Sequence, residues 1–352
     1  MKVLHLLSSD RLSGAENVAV EIIRMFDGTV EMAYSSPGGP IEKSLSARGV
    51  KHFPLKKFTT REIKSVVASY QADVIHAHDI RASVQAIRVA GRTPVVSHIH
   101  GNHDGMKRIT LKSLLYVLAS YRIKHIIVVS KSIIEEFQFR SNIIEKTTIL
   151  YNPIDRKRVA LKAMYDTSDH STYDFIYLGR LSEPKNPKRI ANIASRVLSK
   201  SRNARFALVG EGDMADLMKS IFDENGVSDR VDFLGFMDNP YGVLSQSRVM
   251  IMCSRYEGTP MAALEALSLG VPIVSTPTDG LVDLIENGVN GYICDNDDDF
   301  SERVLDVITQ RALFERLSQG AKQRSLDFVS LEDYKKTLQE IYSLSVKCEQ
   351  RK

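Results

Sequence analysis

The 352-residue chain has no tryptophan, and its three cysteines, Cys253, Cys294 and Cys348, stand far apart. Without close cysteine pairs there is no zinc or redox motif, and the odd count argues against a disulfide framework. A reduced cytoplasm is the compartment this implies. No apolar run approaches the roughly 20 residues that a spanning helix needs. The opening stretch Met1-Lys2-Val3-Leu4-His5-Leu6-Leu7 turns polar too soon for a signal peptide. Fibrous repeats and long charged tracts are missing too. What remains is ordinary for a globular protein, 43% hydrophobic and 26% charged residues. The whole chain is expected to fold, and its length favours two cores over one.

The net charge of +4 conceals an imbalance. Residues 1–155 carry 21 Lys and Arg against 14 Asp and Glu, whereas the remainder carries 26 against 29. A basic first half suits an anionic partner, and a membrane surface, a lipid diphosphate or nucleic acid would each meet that description.

Short β-branched runs alternate with longer amphipathic stretches, the pattern of parallel sheets covered by helices on both faces. Strands are predicted near Val3–Leu7, Met32–Tyr34, Val74–Ile75, Val95–Ser97, Ile126–Val129 and Thr148–Leu150. In the second half they are predicted near Phe175–Leu178, Phe206–Val209, Val231–Phe233, Val249–Met252, Ile273–Ser275 and Tyr292–Cys294. Asp155 to Tyr173 lacks periodicity and reads as a connector, separating an N-terminal domain over 1–160 from a C-terminal domain over 173–330. The segment 331–352 has helical spacing at Leu331, Tyr334, Leu338, Ile341 and Leu344, and is expected to pack back towards the first domain. The expected fold is α/β, with two Rossmann-like doubly wound parallel sheets in tandem. Such sheets place ligands at the carboxyl ends of their strands, so a shared substrate is expected in the cleft between them.

The most informative window is Ser254-Arg255-Tyr256-Glu257-Gly258-Thr259-Pro260-Met261-Ala262-Ala263-Leu264-Glu265, directly after an apolar strand. Pro260 suits the start of a helix, and Gly270 with Pro272 ends it. Glu265 falls within an otherwise apolar helix, so its carboxylate needs a partner. A ribose diol would serve, and so would a backbone cap or an ion pair. Backbone N–H groups around Gly258, Thr259 and Met261 face the loop, and a helix N-terminus favours phosphate. A second window, Tyr177-Leu178-Gly179-Arg180-Leu181-Ser182-Glu183-Pro184-Lys185-Asn186, puts two cations in a strand-to-helix loop, suited to a diphosphate. Lys185 is expected at an exposed edge, where its removal would leave the fold intact.

Together with Val209-Gly210-Glu211-Gly212 and Phe233-Leu234-Gly235-Phe236, these windows resemble the retaining glycosyltransferases of group 1, family 4, which have the GT-B fold. The resemblance covers nearly the whole chain and includes the spacing from Glu257 to Glu265. It implies that Arg180 and Lys185 grip a donor diphosphate, that Glu265 meets the ribose, that Glu257 lies near the donor sugar, and that Phe236 borders the base. In the first half, Leu12-Ser13-Gly14-Ala15-Glu16 is similar to the family's glycine loop, with Ser13 where many members have a second glycine. Pro94-Val95-Val96-Ser97-His98-Ile99-His100-Gly101 is similar to the strand that ends in an active-site histidine, here His100. The implied activity is metal-independent and cofactor-free sugar transfer from a nucleotide-diphosphate sugar, UDP-linked on family frequency. The acceptor would be a glycan or polyprenol-linked molecule in surface glycan synthesis, not nucleic acid.

Other signals compete. His76, His78, His98 and His100 with Gly101-Asn102-His103-Asp104 suggest a dinuclear metallophosphoesterase, but the further ligand motifs of that class are missing. Gly210-Glu211-Gly212-Asp213-Met214-Ala215 is similar to a dinucleotide fingerprint, although in the second βα unit of its domain instead of the first. Asp295-Asn296-Asp297-Asp298-Asp299 contains an Asp-x-Asp, better read as an acidic turn starting a helix near Phe300. Lys107 to Leu118 is a basic amphipathic helix candidate, either core-facing with a solvated cationic face or docked on anionic lipid. A non-catalytic nucleotide-sugar-binding protein is the reading from another functional class.

Overall fold

The computed structural model describes residues 1–101, 104–165 and 172–350. By internal contacts the chain divides into two compact units, Met1–Pro153 with Val329–Lys352, and Ile154–Phe328.

In the first unit seven strands form one parallel sheet: β1 (Lys2–Leu6), β2 (Glu31–Pro37), β3 (His52–Leu55), β4 (Val74–His78), β5 (Val95–Ile99), β6 (His125–Val128) and β7 (Thr147–Ile149). Their order is β3-β2-β1-β4-β5-β6-β7. Strand β3 was not predicted. Its sequence His52-Phe53-Pro54-Leu55 carries a proline, which cannot donate to a ladder and is tolerated here because β3 is an edge. Alternation along the strands sorts the side chains. Leu4, Leu6, Ile75, Ala77, Val95 and Ile99 enter one apolar core, and the intervening positions put His5, His76, His78 and His98 on the other face, all buried. The terminal helix Leu331–Gln350 belongs to this unit and reaches that face, where Tyr342 bonds His76.

In the second unit six strands form a parallel sheet: β8 (Phe175–Leu178), β9 (Phe206–Val209), β10 (Val231–Gly235), β11 (Val249–Met252), β12 (Ile273–Ser275) and β13 (Gly291–Ile293). They are ordered β10-β9-β8-β11-β12-β13. The helix Arg156–Met164 belongs here, since Ile154 and Val159 are buried with Ile176, Leu264 and Leu267. The division therefore falls at Pro153, not at 160. Of the expected connector, Asp166, Ser168, Asp169, His170 and Ser171 lie outside the described residues.

Two local expectations change. Lys107 to Leu118 is not one helix: Asp104–Lys107 ends, and Thr110 caps a new helix, Leu111–Ser120, through a reciprocal bond with Ser113. The acidic turn starts its helix at Asp297, not Phe300, because the Asn296 side chain accepts from the N–H groups of Asp298 and Asp299. Arg189, Arg196 and Arg303 pair with Asp297, Asp298 and Asp299 respectively, so the acidic run is neutralised by protein cations.

Candidate active site

In the second unit the strand order reverses between β8 and β11, and doubly wound sheets hold ligands beyond the carboxyl ends at such a point. The two loops that leave these strands are tied together. The Arg255 N–H donates to the Pro184 carbonyl at 2.9 Å, the Arg255 guanidinium pairs with Glu183 at 2.8 Å, and Lys185 pairs with Glu257. Lys185 closes a single 3-10 turn, Glu183–Lys185, and Asn186 behind it takes a left-handed conformation (φ 56°) from which the helix Pro187–Lys200 begins. The Glu257 carboxylate also accepts from the Ser254 hydroxyl at 2.6 Å.

This geometry corrects one expectation. Lys185 is not an exposed edge residue: its side chain is 23% exposed and its partner Glu257 is 8% exposed. Removing the cation leaves a buried carboxylate short of a partner, so the substitution weakens the fold as well. Arg180 is exposed in the same loop, whose path is held by the Tyr177 hydroxyl donating to the Arg180 carbonyl at 2.9 Å.

The glycines have a packing reason. A Cβ on Gly210 would lie 2.0 Å from the Gly179 carbonyl oxygen, and one on Gly212 would lie 2.1 Å from that of Leu181. The loops after β8 and β9 are stacked backbone on backbone, with Leu181 N–H donating to Glu211 at 2.9 Å and Met214 N–H to Leu181 at 3.1 Å. That contact accounts for the fingerprint-like glycines without a dinucleotide. Phe236 is 68% exposed beyond β10, and its N–H donates to the Glu211 carboxylate at 3.4 Å.

Pro260 caps the helix Met261–Ser268, preceded by Gly258 and Thr259, both buried. Glu265, one turn in, is half-buried and accepts from the Tyr241 hydroxyl at 2.9 Å. Of the partners foreseen for Glu265, a side-chain hydroxyl was not among them. The sequence carries no local signal for Tyr241, which is 24 residues away.

The first unit presents different chemistry. Its order reverses between β1 and β4. After β1, Ser13 precedes the helix Gly14–Met25 and donates its hydroxyl to Glu16, whose carboxyl is pushed up chiefly by burial. A Cβ on Gly14 would meet nothing within 4 Å. After β4, Asp79 adopts φ 64°, a left-handed conformation rare outside glycine, and its carboxylate accepts the His100 N–H at 3.0 Å. Asp79 was missed in the sequence, although its place right after His78 at a strand's carboxyl end was a signal.

His100 is half-buried and its ring bonds His78 at 2.8 Å. His78 in turn bonds His5 at 3.0 Å, and a separate series runs from Tyr342 to His76 (2.7 Å) and His98 (3.2 Å). Ring nitrogens come within 4.8 Å of one another in two groups, His5, His76, His78 and His78, His98, His100. The rings lie 12 to 38° from parallel, so their in-plane nitrogens bond from ring to ring. Burial lowers the pKa of His5 to about 3 and those of His76, His78 and His98 well below the usual value. Burial also lowers that of His100, against the opposing pull of the Asp79 charge. All five are neutral at pH 7. Asn102 and His103, invoked for a metal centre, lie outside the described residues.

Comparison with known proteins places the chain. The sequence model described as Glycosyl transferases group 1 matches residues 166–324, and that described as Glycosyltransferase Family 4 matches residues 12–158. An uncharacterized glycosyltransferase of Methanocaldococcus jannaschii is 26% identical over 300 residues, 78% of this chain and 76% of that one. The UDP-Gal:alpha-D-GlcNAc-diphosphoundecaprenol alpha-1,3-galactosyltransferase of Escherichia coli is 23% identical over 356 residues, 92% of each chain. Among solved structures, Anabaena HepE in complex with UDP superposes with a TM-score of 0.84 at 18% identity, over 97% of this chain and all of HepE. With both halves matched and the doubly wound sheets in place, the chain is a GT-B glycosyltransferase and belongs to the family of glycosyl transferases group 1.

Proposed function

We propose that this enzyme is a retaining transferase that moves a sugar from a UDP-sugar to a polyprenol-linked or glycan acceptor in surface glycan synthesis. The observation that carries the reading is the Lys185–Glu257 pair, braced by Ser254 and set beside exposed Arg180 at the switch point of the second sheet. Arg180 and Lys185 supply the positive charge that a departing diphosphate needs, and the amides at the start of the Met261–Ser268 helix add to it. No metal is then required for that charge. Glu265, oriented by Tyr241, takes the ribose hydroxyls, Glu257 meets the sugar, and Phe236 borders the base. Within the first unit, Gly14 is the residue suited to a phosphate and His100 the residue suited to a sugar. In the reaction the acceptor hydroxyl attacks from the leaving-group side and a diphosphate oxygen takes its proton, which retains the anomeric configuration.

The donor reading is supported by HepE, which binds UDP and UDP-glucose, and the acceptor reading by the E. coli galactosyltransferase, whose acceptor is a diphosphoundecaprenol. Peripheral contact with anionic lipid on the cytoplasmic face completes the proposal. Ile109, Leu111, Leu114, Leu118 and Tyr121 are exposed together with the cations Arg108 and Lys112. Lys107 is not part of that charge, being paired with Glu136 at 2.6 Å. No helix among the described residues is long and apolar enough to cross a membrane.

The experiment is to supply UDP-sugars with polyprenol-linked acceptors and read the product's anomeric configuration by NMR. Retention is expected; inversion, or turnover that depends on an added divalent ion, would defeat the mechanism. Vesicles containing anionic lipid should bind the wild type and lose the Arg108→Glu, Lys112→Glu variant, and equal binding would remove the membrane contact.

A further inference from the structure

The ring-to-ring bonds in the first unit are more ordered than burial alone requires. Four histidines on three adjacent strands, with His100 just past β5, lie together, yet their bonds form two separate series, His5–His78–His100 and Tyr342–His76–His98. A neutral imidazole has one N–H and one bare nitrogen. A series of three neutral rings joined by two bonds therefore has only two self-consistent arrangements. Either every proton points towards His100, or every proton points towards His5. Any other arrangement sets two N–H groups or two lone pairs against each other inside the protein.

The ends of the series choose between the two. His5 Nε2 and His100 Nδ1 are both buried and lack a hydrogen-bond partner among the described residues. If the protons point towards His5, its Nε2 carries an orphan N–H on a residue with no exposure at all. If they point towards His100, His5 Nε2 is only an unused acceptor, and the orphan N–H falls on His100 Nδ1. Each arrangement leaves one buried orphan N–H, at His5 Nε2 or at His100 Nδ1, so the rarity of such donors does not decide between them. His100 is half-buried and close enough to the Asp79 carboxylate to feel its charge, which favours a proton at that end.

We propose that His78, backed by His5, is a positioning residue that holds His100 as its Nδ1–H tautomer, with Nε2 accepting from His78. The proposal rests on the reading that His100 meets the donor sugar. It goes further by fixing what His100 offers, an N–H and not a lone pair, and by naming the residues that make the choice. The orphan N–H on His100 Nδ1 is a cost in the empty enzyme, and because that atom is buried, an acceptor oxygen on a ligand removes the cost only when binding uncovers it. The left-handed Asp79, which anchors the His100 backbone, serves the same end by keeping the ring in register with His78.

The test is to read the protonation of each histidine nitrogen by 15N NMR on the full chain at neutral pH, with kcat and KM for the donor measured alongside. The wild type is expected to show His100 protonated at Nδ1 and bare at Nε2. His78→Leu should release that preference and lower kcat by roughly tenfold or more with KM little changed. His78→Gln, whose amide can donate to His100 Nε2, should restore both. His76→Gln belongs to the other series and should leave the His100 tautomer as it was. The proposal is overturned if wild-type His100 carries its proton on Nε2, if His78→Leu changes neither tautomer nor kcat, or if purified protein holds a stoichiometric metal on these nitrogens. Full activity in His100→Gln would sink the role of His100 itself, and the tautomer measurement stands apart from that result.

Discussion

The two units share a strand order around their switch points but furnish them in opposite ways. The second unit sets charge against charge, with Lys185 on Glu257 and Arg255 on Glu183, over loops whose backbones touch at Gly210 and Gly212. The first unit buries four imidazoles, half-buries a fifth and keeps them neutral, with the Asp79 charge acting on His100. A site for a dianionic leaving group needs fixed cations, whose field does the stabilising. A site for an uncharged sugar needs hydrogen bonds of defined polarity, and neutral rings supply those without drawing in a competing anion. On the proposed function one scaffold would serve two tasks, and the difference lies in the residues placed at the carboxyl ends of its central strands.

The comparison breaks most visibly at Lys185. Lys185→Ala should lower kcat by roughly 10²–10³-fold and, by stranding Glu257, reduce stability by about 1–3 kcal/mol. Activity assays with a melting curve would check both, and unchanged kcat would detach the ion pair from function.

Acid should separate the units. Between about pH 6.5 and about 3 the unfolded chain holds a proton on His5 that the folded chain does not. That contribution to stability is whole above pH 6.5 and is lost as pH falls, by about 1.4 kcal/mol per pH unit for one histidine. His76, His78, His98 and His100 add losses of the same sign. Hydrogen exchange at mildly acidic pH should show β1, β4 and β5 opening before β8 and β11, and simultaneous opening would contradict the neutral-ring account.

A smaller contrast lies in the glycines. Gly212→Ala should cost roughly 1–3 kcal/mol, since its Cβ would overlap the Leu181 carbonyl. Gly14→Ala has room for its Cβ and should leave stability unchanged, or raise it by up to about 1 kcal/mol in a helix, while reducing turnover if a phosphate approaches there. Smallest of all, Tyr241→Phe should weaken donor binding by about 1 kcal/mol through the lost bond to Glu265.

Much of this was legible in the residues. Every strand except β3 was anticipated from a short apolar run, β2 without any β-branched residue, and β3 was hidden by Pro54 at an edge. The loop cations and the Glu257 to Glu265 spacing are local features, so sequence alone could group them. Pairings across the sheet were not legible. That Lys185 meets Glu257, that Tyr241 meets Glu265, and that His5 joins His78 depend on which strands become neighbours, a property of topology that no local pattern encodes. The sequence showed His76, His78, His98 and His100 only as close along the chain, and the ladder they form with His5 needed the order β1-β4-β5.

The central claim is that the second unit grips a nucleoside diphosphate through Arg180 and Lys185. Calorimetric titration of UDP and GDP into the full chain and into an Arg180→Ala, Lys185→Ala variant tests it directly. The account predicts binding to the wild type, weakened at least roughly tenfold in the variant, as expected when charge-assisted contacts are lost, and unaltered by His100→Gln. Equal affinity in wild type and variant, or no binding of either nucleotide, would contradict it.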